Sequence, residues 1–216
     1  MRFFYKLTKI LKRERIPFKA LDSFYDYYPG NLVILTTQKD IEREKPDLPD
    51  DIQLLVLSPM RSKIEDILLT ICQNIAKINI VEKILIAVDP GEKKVGTALF
   101  LNDTMVYSRE LYNLRQLGHF LRNTFHHYND AKKSIKIGDG NFFLAMDYID
   151  YLKNQKIIKK DIEIQLVNEY KTSQKKSFTK NRLKKTLQRK KSIHEKSAIL
   201  IGQKKGKRFF IDETEY

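Results

Sequence analysis

Ile84-Leu85-Ile86-Ala87-Val88-Asp89-Pro90-Gly91-Glu92-Lys93-Lys94-Val95-Gly96-Thr97-Ala98-Leu99-Phe100-Leu101 is the stretch whose reading decides the fold. An apolar, β-rich run ends in a single carboxylate. A Pro-Gly turn follows, and a second apolar run begins. The pattern predicts two strands, with Asp89 at the end of a buried one. Acids in such places need a partner, because burying an unpaired charge is costly. A carboxylate held there is a good first ligand for Mg2+ or Mn2+, which take oxygen donors.

Working outward toward the C-terminus, Thr104–Glu110 reads as a third strand. A helix follows with Leu114, Leu117, Phe120, Leu121 and Phe125 on one face. Ser134-Ile135-Lys136-Ile137 is a fourth strand that runs into Gly138-Asp139-Gly140. The next helix carries Phe142, Phe143, Ala145, Met146, Ile149 and Leu152. Ile162–Val167 alternates as a half-buried strand does. The last helix opens near Glu195. The order β-β-β-α-β-α-β-α predicts an α/β unit with a mixed five-stranded sheet.

Working outward toward the N-terminus, Tyr5, Leu7, Ile10 and Leu11 recur at helical spacing, and Pro17 is expected to end that helix. A short strand is expected over Phe18 to Leu21, and an aromatic cluster, Phe24, Tyr25, Tyr27 and Tyr28, precedes the Pro29-Gly30 turn. Leu32–Leu35 and Ile52–Leu57 read as strands. Asp40 to Glu44 is a short helix, and Ser58 precedes or caps a helix bearing Ile64, Ile67, Leu68 and Ile71. This first part, residues 1–78, is a small, partly parallel α/β domain with no glycine-rich phosphate loop. Residues 79–216 form the second domain.

The 216 residues carry 41 Lys and Arg against 27 Asp and Glu, a net charge of +14. A surplus of that size, concentrated rather than spread, points to a polyanion such as nucleic acid. The single cysteine, Cys72, lies in an apolar helical pattern. It makes no internal disulfide and no cysteine zinc site, and reads as a buried thiol in a reducing compartment. No run approaches the length of a membrane span, so a cytoplasmic protein without membrane contact is expected.

Four carboxylates fall at strand ends or on the late helix. Asp89 ends the first strand, Asp139 the fourth and Glu169 the fifth, within Asn168-Glu169-Tyr170-Lys171-Thr172-Ser173; Glu195 opens the helix His194-Glu195-Lys196-Ser197-Ala198. In open α/β sheets, sites form beyond the strand ends at the switch between layers. Ala198 and Gly202, three and seven residues after Glu195, keep one face of that helix thin enough to approach the sheet closely. Converging carboxylates repel unless a cation lies between them. Two divalent ions roughly 4 Å apart can clamp the attacking and leaving oxygens of a phosphodiester. Taken singly, Asp139 is also a turn residue, Glu169 a surface acid and Glu195 a first-turn acid favoured by the helix dipole.

Asp89-Pro90-Gly91-x-Lys93-x-x-Gly96-x-Ala98 resembles the first motif of the RuvC-like branch of the RNase H-like superfamily, which includes Holliday-junction resolvases and the YqgF group. Asn168-Glu169-Tyr170-Lys171-Thr172-Ser173 is similar to the Asp-Glu-Arg-x-Thr-Thr motif of the YqgF group, with Asn168 in place of an Asp. Glu195-x-x-Ala198 matches that group's late Asp-x-x-Ala, with Glu in place of Asp. The resemblance covers about Ile84 to Gly202. It implies an RNase H-like fold and metal-dependent phosphodiester hydrolysis with Mg2+ or Mn2+. Asp89, Asp139, Glu169 and Glu195 are then the catalytic acids. Asp89, Asp139 and Glu195 would hold metal, with Asp89 bridging two ions. Glu169 would be a further ligand or would orient water, and His194 would shuttle a proton.

Between Lys171 and Lys191 no acid interrupts the basic residues. Lys93, Lys171, Lys175, Lys176, Lys180, Arg182, Lys184, Lys185 and Arg189 are expected to hold the phosphate backbone. Leu183 and Leu187 suggest a basic amphipathic helix, capped by Ser177, Thr179 or Asn181. Backbone contacts add affinity without reading sequence, so recognition by shape is expected. The leading expectation is an endonuclease on structured nucleic acid, DNA favoured over RNA, in its sharpest form a Holliday-junction resolvase working as a homodimer on a two-fold substrate. The competing readings are an RNA-processing nuclease, a non-catalytic RNase H-fold binding protein, and, least supported, an actin-like ATPase.

Overall fold

The computed structural model describes residues 2–14, 16–26, 33–45, 47–49, 52–58, 63–159, 161–169 and 191–209. The chain divides into two compact units, one built on Met1–Asn79 and a second that begins at Ile80.

In the first unit, α1 (Arg2–Arg13) is followed by β1 (Val33–Thr37), α2 (Gln38–Glu44), β2 (Gln53–Leu57) and α3 (Ile64–Ile75). β1 and β2 pair in parallel, which is the partly parallel sheet that the strand-helix alternation predicts. Leu7 and Leu11 of α1 and Ile67, Leu68, Ile71 and Cys72 of α3 are buried, and α1 packs on α3. The Thr37 hydroxyl accepts from the Asp40 amide and starts α2 directly off the end of β1. One local expectation fails: Phe18 to Leu21 form no strand. Of the two alternatives for Ser58, it precedes α3 rather than capping it; Lys63 holds the cap position and makes no side-chain cap bond. Tyr27, Tyr28 and the Pro29-Gly30 turn lie outside the described residues.

The second unit is a mixed α/β fold. Its strands are β3 (Lys83–Asp89), β4 (Val95–Leu101), β5 (Thr104–Leu111), β6 (Lys132–Gly138), β7 (Ile162–Val167) and β8 (Lys207–Phe209), and its helices are α4 (Leu114–His127), α5 (Phe142–Asn154) and α6 (Ile193–Gln203). The sheet order is β5-β4-β3-β6-β7-β8. β3, β6 and β7 are parallel, while β4, β5 and β8 each run antiparallel to their neighbour. The first three strands meander, as expected. The β4–β5 hairpin turns on Asn102 and Asp103, both at positive φ, the conformation a two-residue hairpin loop requires. The sheet has six strands rather than five. Lys207–Phe209 is a short edge strand, three residues long and mostly charged, so its sequence carries no strand pattern.

α6 packs across β3, β4, β5 and β6. Ala87, Ala98, Phe100 and Val167 from the sheet meet Ala198, Ile199 and Ile201 from the helix. Alternate residues Ile86 and Val88 face the other way and are fully buried as well, so β3 is covered on both faces. The thin helix face is real: a β-carbon on Gly202 would lie 2.2 Å from Cε2 of Phe100.

Candidate active site

Three parallel strands end side by side, each with a carboxylate at its last residue or within two residues beyond it. Val88 of β3 pairs with Ile137 of β6, and Gly138 of β6 pairs with Val167 of β7. Asp89, Asp139 and Glu169 therefore leave the sheet at one edge. The chain from β6 holds together with the chain from β7: the Asp139 amide donates to the Val167 carbonyl at 3.0 Å, and the Glu169 amide donates to the Asp139 carboxylate at 3.3 Å. Glu169 folds back, so that its Oε1 accepts from the Gly140 amide at 3.3 Å. The glycines flanking Asp139 make room for this. A β-carbon on Gly138 would stand 2.0 Å from Oε1 of Glu169, and one on Gly140 would stand 3.2 Å from the same atom.

The fourth contributor comes from α6. His194 Nδ1 lies 2.8 Å from Asp89 Oδ2. A carboxylate only accepts, so Nδ1 carries the proton and donates; in the neutral imidazole Nε2 is then an acceptor. The first turn of α6 reaches this position because Gly96, paired with Asp89 across the sheet, has no side chain; a β-carbon there would lie 2.0 Å from the His194 carbonyl oxygen. Opposite, the Tyr148 hydroxyl of α5 donates to the Gly91 carbonyl at 2.8 Å and ties down the turn that follows Asp89.

The electrostatics agree with a crowded anionic site. Burial raises the Asp89 carboxyl above the usual aspartate range, against the opposing pull of His194. Burial also raises Glu169, and the charges of Asp89 and Asp139 push it further up, while the Gly140 amide and Lys204 oppose. Burial raises the Tyr148 hydroxyl, with Asp89 adding to it.

Glu195 is engaged by residues of its own helix start and of β5. It closes a capping box on α6: the Ser192 hydroxyl accepts from the Glu195 amide, and the Glu195 carboxylate accepts from the Ser192 amide at 2.9 Å. Its other oxygen accepts from the Ser108 hydroxyl at 3.2 Å, and Lys191 donates to that same hydroxyl at 2.8 Å. The position expected of a metal ligand is thus held as a buried structural acid on the β5 side. Adjacent helix residues point about 100° apart, and of the two it is His194 that hydrogen-bonds Asp89.

Lys93 is exposed beside the turn. Lys171, Lys175, Lys176, Lys180, Arg182, Lys184, Lys185 and Arg189 lie outside the described residues, as does the amphipathic helix expected around Leu183 and Leu187. Sequence reasoning missed Tyr148, since a tyrosine on the buried face of a helix looks like core. It also missed Lys204, whose Nζ donates to the Asn168 carbonyl at 3.1 Å.

Among the described residues, no group of three or more His, Cys, Asp and Glu side chains is placed so that it could hold a metal ion. The donor types, carboxylates with one imidazole beside them, are those that suit a hard divalent cation. Burial, and then the charges of Asp89 and Asp139, raise Glu169 among them. Among the described residues, no helix is long and apolar enough to cross a membrane.

No family model matches the chain, and no curated protein matches it. Two solved structures are similar in layout. A Thermus thermophilus RuvC in complex with a Holliday-junction substrate aligns at TM-score 0.38 and 8% identity, over 56% of this chain and 90% of that one. A second Thermus thermophilus RuvC structure aligns at TM-score 0.37 and 8% identity, over 55% of this chain and 90% of that one.

Proposed function

We propose that the second unit is a metal-dependent nuclease that hydrolyses phosphodiester bonds in structured nucleic acid. The observation that supports this most is the convergence of Asp89, Asp139 and Glu169 at the ends of three parallel strands, with His194 against Asp89. Asp89, Asp139 and Glu169 would hold Mg2+ or Mn2+, which when bound supplies Lewis-acid activation of water and charge neutralisation at the phosphate. His194 keeps its Nε2 free to accept a proton, with its tautomer fixed by Asp89. Tyr148 holds the Asp89 turn in place through Gly91.

The substrate class follows from what surrounds the acids. The chain carries a net charge of +14, which suits a polyanion. Immediately after Gly140 and the capping residue Asn141, Phe142 and Phe143 stand 53% and 81% exposed. Two exposed aromatic rings beside a phosphate-cutting centre suit unstacked bases better than an intact duplex. A branched substrate of the Holliday-junction type, cut by a homodimer, is the form of this proposal that uses both features.

The test is cleavage of labelled four-way junction, linear duplex and structured RNA, each with Mg2+, Mn2+ or EDTA. Metal-dependent cutting, strongest on the junction and abolished by Asp89→Asn with binding retained, is expected. A second reading, a binding protein without catalysis, draws on the engagement of Glu195 in the cap. Tight binding with no cutting under any metal would select it.

A further inference from the structure

We infer that α1 of the first unit is a second nucleic-acid-binding surface, one that takes an unpaired strand. Seven of the 13 cations in residues 1–79 fall in residues 1–19, beside a single acid, Glu14. Residues 20–79 hold six cations against ten acids. Residues 1–79 taken together are nearly neutral, so their positive charge is gathered in the first 19 residues rather than spread for solubility.

Helix geometry gathers it further. Leu7 and Leu11 are buried, and so is Glu14, which receives Arg13 in an ion pair. Tyr5, Lys9 and Lys12 stand at i, i+4 and i+7 on the outward stripe, with Lys6 on the flank, and all four are exposed. No acid lies on that stripe. Tyr5 is 67% exposed within it, and Phe4 beside it is 58% exposed. Cations spaced along a helix meet successive phosphates, and an aromatic ring among them stacks on a base of any identity. An intact duplex would engage the lysines and leave the ring idle, so the pairing of the two favours a single strand.

A basic amphipathic helix also suggests an anionic membrane. Membrane binding requires the apolar face to be free for insertion. Here that face is spent on the protein's own core, with Leu7 and Leu11 each 4% exposed.

The experiment uses the full chain in EDTA, so that binding is read whether or not the protein cuts. Fluorescence anisotropy is followed against salt with a labelled oligo(dT) strand and a labelled duplex of equal length. Vesicles containing phosphatidylserine form a third arm. The proteins are wild type, Lys6→Ala/Lys9→Ala/Lys12→Ala, the corresponding Lys→Arg variant and Tyr5→Ala. Alanine favours the helix, and all four side chains are exposed, so the fold is retained. Removing three phosphate contacts is expected to make log K against log salt shallower by about 2 on the strand, with Lys→Arg restoring it. Tyr5→Ala is expected to weaken strand binding by roughly tenfold and leave duplex binding unchanged. An unchanged salt slope in the triple alanine variant would overturn the inference. So would vesicle binding that depends on these lysines while oligo(dT) binding does not, which would assign the helix to a membrane surface.

Discussion

Gly96→Ala measures how tightly α6 is seated on the sheet. A β-carbon at Gly96 would lie 2.0 Å from the His194 carbonyl oxygen and 2.4 Å from its carbonyl carbon. Ordinary contact begins at 3.4 Å, so the first turn of α6 must retreat by about 1.4 Å. The obstacle is backbone, and no change of rotamer relieves it. His194 rides on that turn with its Nδ1 2.8 Å from Asp89. The retreat opens that contact to roughly 4 Å, past hydrogen-bonding distance. Overpacking costs ~1–3 kcal/mol, and a lost hydrogen bond to a charged group ~1.5–3 kcal/mol. Both arise from one displacement and do not add in full, so a loss of about 3 kcal/mol is expected. The assay is urea unfolding followed by circular dichroism, since the chain has no tryptophan. The midpoint should fall with the slope unchanged. Gly118→Ala is the contrast: its β-carbon meets the tip of Ile157 at 2.9 Å. That tip can turn aside, and alanine is the better helix former by ~1 kcal/mol. Equal midpoints for Gly96→Ala and wild type would refute the seating of α6 described above.

Three further outcomes are expected. Gly138→Ala places a β-carbon 2.0 Å from Oε1 of Glu169 and 2.7 Å from Cδ1 of Ile201, both side-chain ends that can move; stability should fall by only ~1 kcal/mol, while metal-dependent cutting falls by about 10²-fold because Glu169 is displaced. Glu195→Gln keeps a residue competent for the capping box and should leave the unfolding midpoint and the cutting rate close to wild type; a large loss of cutting with normal stability would return Glu195 to the metal-binding set. Glu110 is held below its ordinary 4.5, chiefly by its hydrogen bond with Lys94, helped by Ser192 and His194. Its folded value is depressed, so its stabilisation is complete above the ordinary glutamate range and is lost as pH falls through the folded value. Thermal melts between neutral and acid pH should therefore decline less steeply in Glu110→Gln than in wild type.

The strands of the second unit were legible because each is an apolar run closed by a turn signal, and the helices because their apolar residues recur at 3.6-residue spacing. Asp89 stood out because an acid ends an otherwise buried strand. Asp139 was ambiguous alone, since an acid between two glycines is ordinary turn chemistry. Its role emerges only when Glu169, distant in sequence, is seen to fold over those glycines. Strand β8 was not legible, because Lys207-Arg208-Phe209 has no alternation and exists by pairing with β7. Tyr148 was hidden for a related reason: its bond to Gly91 spans 57 residues, and no local pattern announces it.

Glu195 and His194 show how a local rule competes with a longer-range one. Ser192-Ile193-His194-Glu195 is a Ser-x-x-Glu capping box, a pattern that satisfies amides at the helix start by itself. A side chain in that role is turned back toward its own N-cap. The Ser108 and Lys191 contacts then fix its second oxygen on the β5 side. With Glu195 turned back, the residue before it faces the strand end, and that residue is His194. The substitution matters chemically. A carboxylate at this position would add a fourth negative charge to a site where burial, and then the charges of Asp89 and Asp139, already raise Glu169. An imidazole adds no charge when neutral and instead donates to Asp89. On the proposed function, the arrangement would keep three acids for a cation, with an imidazole beside them. Moving Glu195 into the cluster would require breaking the capping box, at a cost of about 1 kcal/mol or more, and leaving the buried Ser108 hydroxyl with one partner fewer.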